Sequence, residues 1–188
     1  LSRQRLVDRS DIVDFATYED TRGASRPSAL AAKKLRRIHL HDNLTVLIEN
    51  RETLQYQIQE IMRVERIVRE ADIVHEIDTY NALLGEPGDL GCVLLIEIPD
   101  AEERSRFLVD WQGLQGRLYV DLDDGTRVFA TFDPAQVGDG RISAVHYLRF
   151  EVGGRVPVGI GTDFDGLESH MALTPEQTAA LTEDLARQ

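Results

Sequence analysis

The chemistry available to this chain is concentrated in a few carboxylates and imidazoles. In QIQEIMRVERIV, residues 57–68, Glu65 falls where an amphipathic helix calls for an apolar residue. At about 100° per residue, Leu54, Ile58, Ile61, Met62 and Val68 gather on one face, and Glu65 points into that stripe. A buried carboxylate must be paired, hydrogen-bonded, protonated or metal-bound, because desolvating a lone charge is costly. Arg69, one helical turn on, offers a structural ion pair. Alternatively, Glu65 binds a metal, serves as an acid–base group, or is simply exposed. Glu60, Arg63, Arg66 and Glu70 point away from the stripe's centre and read as solvated charges, with Glu60 kept as a weaker metal-ligand candidate.

His146 is the second group. Strand alternation in RISAVHYLRFEV puts Ile142, Ala144, His146, Leu148, Phe150 and Val152 on one face. The imidazole is therefore neutral among apolar neighbours, or it meets a carboxylate across the core. If the long helix covers this sheet, Glu65 and His146 meet. They would then act as metal ligands, or as proton acceptor and proton shuttle respectively. His39 and His41, in HLH, share a strand face at i, i+2 spacing compatible with a metal pair, and Glu49 is the candidate third ligand. His75 lies on the polar side of its helix, and His170 sits in an irregular acidic stretch. VGIGTDFDG, 158–166, has neither phosphate-loop nor EF-hand spacing and reads as a turn between strands. The absence of G-x-S-x-G, H-E-x-x-H and dinucleotide fingerprints removes most support for covalent hydrolase and Rossmann chemistry.

These groups need a scaffold, and the composition describes one. The chain has 188 residues, 42% hydrophobic and 29% charged, as in ordinary globular proteins. Its net charge of −12 opposes general binding to nucleic acid. No apolar run has the length of a membrane span. The lone Cys92, in the run CVLLI, excludes an internal disulfide framework and reads as an inert buried hydrophobe. A cytoplasmic address is expected. AAKKLRRIH, 31–39, holds the only lysines, Lys33 and Lys34, and reads as a solvated face or a contact for an acidic partner or the protein's own acidic body.

The pattern predicts an N-terminal arm over 1–28, with a short helix capped by Ser10 and a linker at TRGASRPS, 21–28. A single α+β domain is expected over 29–188, with a largely antiparallel sheet packed by a long central helix and several shorter ones. A short basic helix leads into a hairpin turning at Asp42-Asn43. Asn50 caps the long helix, 51–70, and a second helix follows at about 72–84. A buried strand at 91–98 precedes a helix capped by Asp100, with Glu103 completing a capping box. DDGT joins two further strands as a hairpin, and Thr174 with Pro175 opens the last helix.

LTVLIENRETLQYQIQEIMRVERI (44–67), LLIEIPDAEERSRFL and SAVHYLRFEV, in that order, resemble the bacterial family called domain of unknown function 3501. The resemblance covers most of residues 29–162 and departs from the family's pattern at GIGTDFDG. It brings Glu49, Asn50, Arg51, Gln57, Glu60, Arg63, Glu65 and His146 into view as motif positions. It also implies companions of rubrerythrin-like and iron–sulfur oxidoreductase type, and hence iron as the metal of a redox or oxidative-stress centre. The leading expectation is such a centre, with Glu65 and His146 carrying it. A non-catalytic partner subunit or homodimeric scaffold for that redox system is the second expectation. A small-ligand binder, with Tyr147, Arg149 and Glu97 lining a pocket, is the third.

Overall fold

A computed structural model describes residues 4–138 and 140–187. Helix α1 spans Phe15–Arg36 and runs directly into the hairpin of β1 (Arg37–His41) and β2 (Leu44–Ile48). Helices α2 (Arg51–Glu65) and α3 (Glu70–Asn81) follow, then a 3-10 turn at Ala82–Leu84 and strand β3 (Leu90–Ile96). Helix α4 covers Ala101–Asp110. Strands β4 (Leu118–Leu122), β5 (Arg127–Phe129), β6 (Val145–Phe150), β7 (Pro157–Thr162) and β8 (Ser169–Ala172) lead to α5, Pro175–Leu185.

The fold is α+β, and its strands divide into two antiparallel sheets, ordered β1-β2-β3-β6 and β5-β4-β7-β8. Alternation gives each sheet an apolar inner face. Leu44, Val46, Leu94, Leu148 and Phe150 of the first join Leu118, Val120 and Ile160 of the second, with Leu108 of α4, in one core. A separate cluster ties α2 to α3 through Leu54, Ile58, Met62, Ile73 and Ile77. This helical layer belongs to the opposite, outer face of the first sheet: α1 contacts β2, and the turn at Ala82–Leu84 contacts β3 and β6. Gly91 allows that approach, since any β-carbon there would collide with the Leu83 carbonyl. Among the described residues no helix is long and apolar enough to cross a membrane.

Three expectations change. The linker expected at 21–28 is the middle of α1, with Pro27 inside the helix. Asp14 caps this helix, bonding the amides of Ala16 and Thr17, and docking on α2 overrides the turn-like composition. Pro27 has no amide hydrogen to give the carbonyl four residues back, at Gly23, so the helix forgoes one bond there. Secondly, the expected cap Ser10 lies inside a 3-10 turn at Arg9–Asp11 that Asp8 caps, and Val7 and Ile12 of the expected arm are buried in the α2–α3 cluster. Thirdly, α2 stops at Glu65 instead of continuing to 70. Arg66 adopts a left-handed φ of 52°, and the amides of Arg66 and Ile67 both return to the Met62 carbonyl. The chain then folds back as α3, so one helical period does not extend across residue 66.

Candidate functional site

The break at Arg66 decides the position of Glu65. It is the last residue of α2 and is exposed, with Val68 beyond it 69% exposed. Arg69 precedes α3 without a side-chain capping bond, and no ion pair joins it to Glu65 among the described residues. His146 keeps its predicted face and is 1% exposed, opposite Leu94 in β3. Neither ring nitrogen has a hydrogen-bond partner among the described residues. Burial lowers the pKa of the imidazole, against a smaller opposing effect of the Ser143 backbone. The imidazole face packs toward the second sheet, whereas Glu65 belongs to the helical layer on the other side of the first sheet. The expected meeting of Glu65 and His146 therefore does not occur. The sheet face that α2 would have to cover is occupied by the second sheet.

Glu60 is held by the partners around it. It accepts from Tyr18 Oη at 2.8 Å, from Arg22 Nε at 2.6 Å and Nη2 at 3.2 Å, and from Arg63 Nη2 at 3.2 Å. Burial alone would raise its pKa, but Arg22, Tyr18 and Arg63 reverse this and bring it to about 2. Glu60 clamps α1 to α2, with its acceptor capacity taken by two cations and a phenol.

Glu49 is different. It ends the outer face of β2, its amide donates to the Gly91 carbonyl at 2.9 Å, and the residue is 8% exposed. Thr53 Oγ1 donates to its Oε2 and accepts from the Asn50 amide, while the Thr53 amide donates to Asn50 Oδ1. Burial raises the Glu49 pKa; Thr53, Lys33 and Arg36 oppose the rise without cancelling it. Lys33 approaches from α1, its Nζ 3.3 Å from Gln57 Oε1 and 5.0 Å from the centre of the Tyr56 ring. Burial lowers the Lys33 pKa, against the attraction of Glu49. Tyr80 of α3 stands beside Gln57 and Tyr147, and its pKa is raised mainly by burial.

Register supplies the floor beneath these groups. Leu47, Val93 and Tyr147 align across β2, β3 and β6, and the next row is Thr45, Leu95 and Val145. Helices cover only part of it: Val93 is buried, whereas Val145 and Tyr147 are exposed. Lys33, Gln57, Tyr80 and Glu49 therefore neighbour one another where the helices leave this apolar sheet face partly uncovered, and that region is the candidate cleft. Such a concavity, apolar with a few convergent polar groups, is the usual form of a small-molecule site.

The remaining candidates fall apart geometrically. The β1–β2 register shifts between His39 and His41, and Glu49 lies roughly 13 Å along β2 from Thr45, the partner of His39. Glu60 stands nine residues along α2 from Arg51, roughly 14 Å up the axis, and Glu65 lies further still. Glu65, His146, Glu60 and Glu49 thus do not fit a shared iron site, and no group of three or more His, Cys, Asp or Glu among the described residues is arranged to hold a metal. Tyr147 and Arg149 do line a cavity of about 290 Å³, with Leu83, Phe132 and Gln136, but Glu97 is elsewhere, bonded to Thr45. No sequence motif points to Lys33 or Tyr80 as a site residue. The available signals were the only lysine pair in the chain and the alternation Thr45, Leu47, Glu49 on a strand whose other face is wholly apolar.

Fold and cleft together define an α+β protein in which a helical layer half-covers the outer face of one of two antiparallel sheets. The chain belongs to the family described as protein of unknown function, DUF3501, whose model matches residues 6–185. It is similar to a solved structure described as a novel protein of unknown function from Burkholderia pseudomallei K96243. The two are 28% identical with a TM-score of 0.86, over 95% of this chain and 98% of that one. No curated protein matches the chain.

Proposed function

We propose that the cleft binds a small organic anion and that Glu49 is its acid–base group. Lys33 supplies the cation for the ligand's charged end, while Val93, Leu95 and Tyr147 support its apolar body. One observation carries this reading: a carboxyl group, 8% exposed and held by a neutral hydroxyl, lies within electrostatic reach of a partly buried lysine on the same side of the sheet. Burial disfavours the charged form of each, so the Glu49 pKa moves up and the Lys33 pKa moves down. Opposed shifts on two neighbouring groups are one physical mark of a functional site. Glu60 has no such capacity, because its charge is already committed.

A thermal-shift screen of small carboxylates, phosphates and amines, followed by calorimetry, tests the proposal. The expected outcome is stabilisation by a carboxylate or phosphate whose affinity falls about tenfold or more in Lys33→Met, while Glu49→Gln keeps the binding and changes its pH dependence. Binding that survives Lys33→Met, an unchanged pH dependence in Glu49→Gln, or stabilisation by amines alone would overturn it.

A further inference from the structure

We propose that His39 is the second proton-transfer group of this cleft, an imidazole held as its Nδ1–H tautomer by Thr45 and Glu97. The inference rests on the acid–base reading of the cleft, but its geometry is independent of Glu49 and Lys33. Thr45 lies directly across from His39 in the β1–β2 ladder, and its Oγ1 is 2.9 Å from His39 Nδ1. The same hydroxyl donates to Glu97 Oε2 at 2.6 Å. Thr45 is 1% exposed, so its hydroxyl cannot turn to water for a partner.

Counting protons settles the tautomer. A hydroxyl has one proton, and a carboxylate has none to give. The Thr45 proton goes to Glu97, so the short contact with His39 is a bond only if Nδ1 carries the hydrogen. The carboxylate is itself held, with Arg37 Nη1 3.6 Å from Oε1 and the Glu97 amide donating to the Asn43 carbonyl at 2.9 Å. The relay thus runs from His39 Nδ1–H to Thr45 to Glu97. It leaves the Nε2 lone pair on an exposed residue, with no protein donor among the described residues. Free histidine side chains favour the opposite tautomer, so the fold holds a proton acceptor outward. Orienting an imidazole through its second nitrogen is how proteins set which nitrogen does chemistry.

Placement links this imidazole to the cleft. Thr45 and Glu49 share the outer face of β2 at opposite ends of the floor, roughly 13 Å apart at strand rise. A bound molecule anchored at Lys33 and Glu49 presents its far end toward His39. In the proposed step, a ligand O–H, N–H or C–H bond breaks and its electron pair stays on the ligand. The Nε2 lone pair forms the new N–H bond, and the resulting imidazolium is stabilised by Glu97 through Thr45. The ligand class narrows to a small organic anion with a second removable proton remote from its charge. Thr45 and Glu97 are positioning residues.

The test is ¹⁵N–¹H correlation spectroscopy of the imidazole rings in the full chain, with His39→Gln assigning the signal. The wild type should show neutral His39 as Nδ1–H. Thr45→Val should convert it to Nε2–H, and Thr45→Ser should restore the wild-type pattern. Glu97→Ala, an exposed change that spares the buried position, should also shift it toward Nε2–H, because the freed hydroxyl proton then turns to Nδ1. Glu97→Gln should preserve Nδ1–H through its amide oxygen. A wild-type Nε2–H signal, or one unchanged by both Thr45→Val and Glu97→Ala, overturns the relay and leaves the Glu49–Lys33 reading intact. An intact relay in a protein whose Glu49 and Lys33 variants bind every screened anion as the wild type does overturns the catalytic role of His39.

Discussion

Glu60 and Glu49 are both withdrawn from water, yet they have opposite chemistry. Glu60, on α2, receives bonds from Arg22, Arg63 and Tyr18. Glu49, at the end of the strand that leads into the same helix, receives a neutral hydroxyl bond from Thr53. Burial pushes both pKa values up. Two guanidinium groups more than reverse that push at Glu60, whereas at Glu49 it survives. Burial therefore does not by itself mark a functional carboxylate. The deciding quantity is how much donor charge the surrounding elements return to it.

Removing Glu60 should produce the largest effect. Glu60→Gln leaves Arg22 and Arg63 facing each other without their shared anion, and a loss of about 2–3 kcal/mol is expected at pH 7 in urea unfolding. Because the folded pKa is lowered from 4.5 to about 2, this stabilisation is present above pH 4.5 and is lost as pH falls through about 2. The gap between wild type and variant should narrow on that side. An equal gap at pH 7 and at pH 2 would mean that no ionic clamp operates at Glu60.

His146 extends the contrast to a buried group with no partner for either ring nitrogen among the described residues. Its depressed folded pKa means that stability is lost as pH drops below the ordinary 6.5 and on through the folded value. His146→Leu should raise stability by about 1 kcal/mol at pH 7 and by more at pH 5, again by urea unfolding. A destabilised variant would point to a hydrogen-bonded role for the ring.

At Glu49 the sign reverses relative to Glu60. Its raised pKa favours the fold below the ordinary carboxyl range, and this contribution disappears as pH rises through the folded value. Glu49→Gln should change stability by less than about 1 kcal/mol at low pH and compare progressively better with wild type as pH rises. Denaturation midpoints from pH 4 to pH 8 read this directly, and parallel pH curves for the two proteins would erase the distinction between Glu49 and Glu60. Glu65→Gln should do least, within about 0.5 kcal/mol, since an exposed helix end has little to lose. A larger effect in the same unfolding assay would mean that Glu65 has a partner in solution.

Local features were legible because their causes lie within a few residues. Asn50 caps α2 with Thr53 reciprocating, and Thr174 does the same for α5 with Gln177. Asp100 caps α4 by accepting from the Glu103 amide, but the Glu103 side chain does not return a bond, so the expected capping box is only half made. The hairpins at Asp42-Asn43 and DDGT form where expected. Strand alternation placed His146 correctly, because period two needs only the strand itself. Burial of Cys92, which raises its thiol pKa, followed from the apolar run around it.

What the sequence alone determined is the α+β class, most strand faces and the caps that start its helices. Each of these depends on backbone geometry and on near neighbours in the chain. Tertiary structure decided which layer covers which face, and hence that His146 meets the second sheet while the helices gather over Thr45, Leu47 and Glu49. It also ended α2 at Arg66, moving Glu65 out of the core, and brought Lys33 into a cleft with a carboxylate sixteen residues later in the chain. The physical reason is that a charge's role depends on its desolvation and on the donors around it. Packing between distant segments sets both.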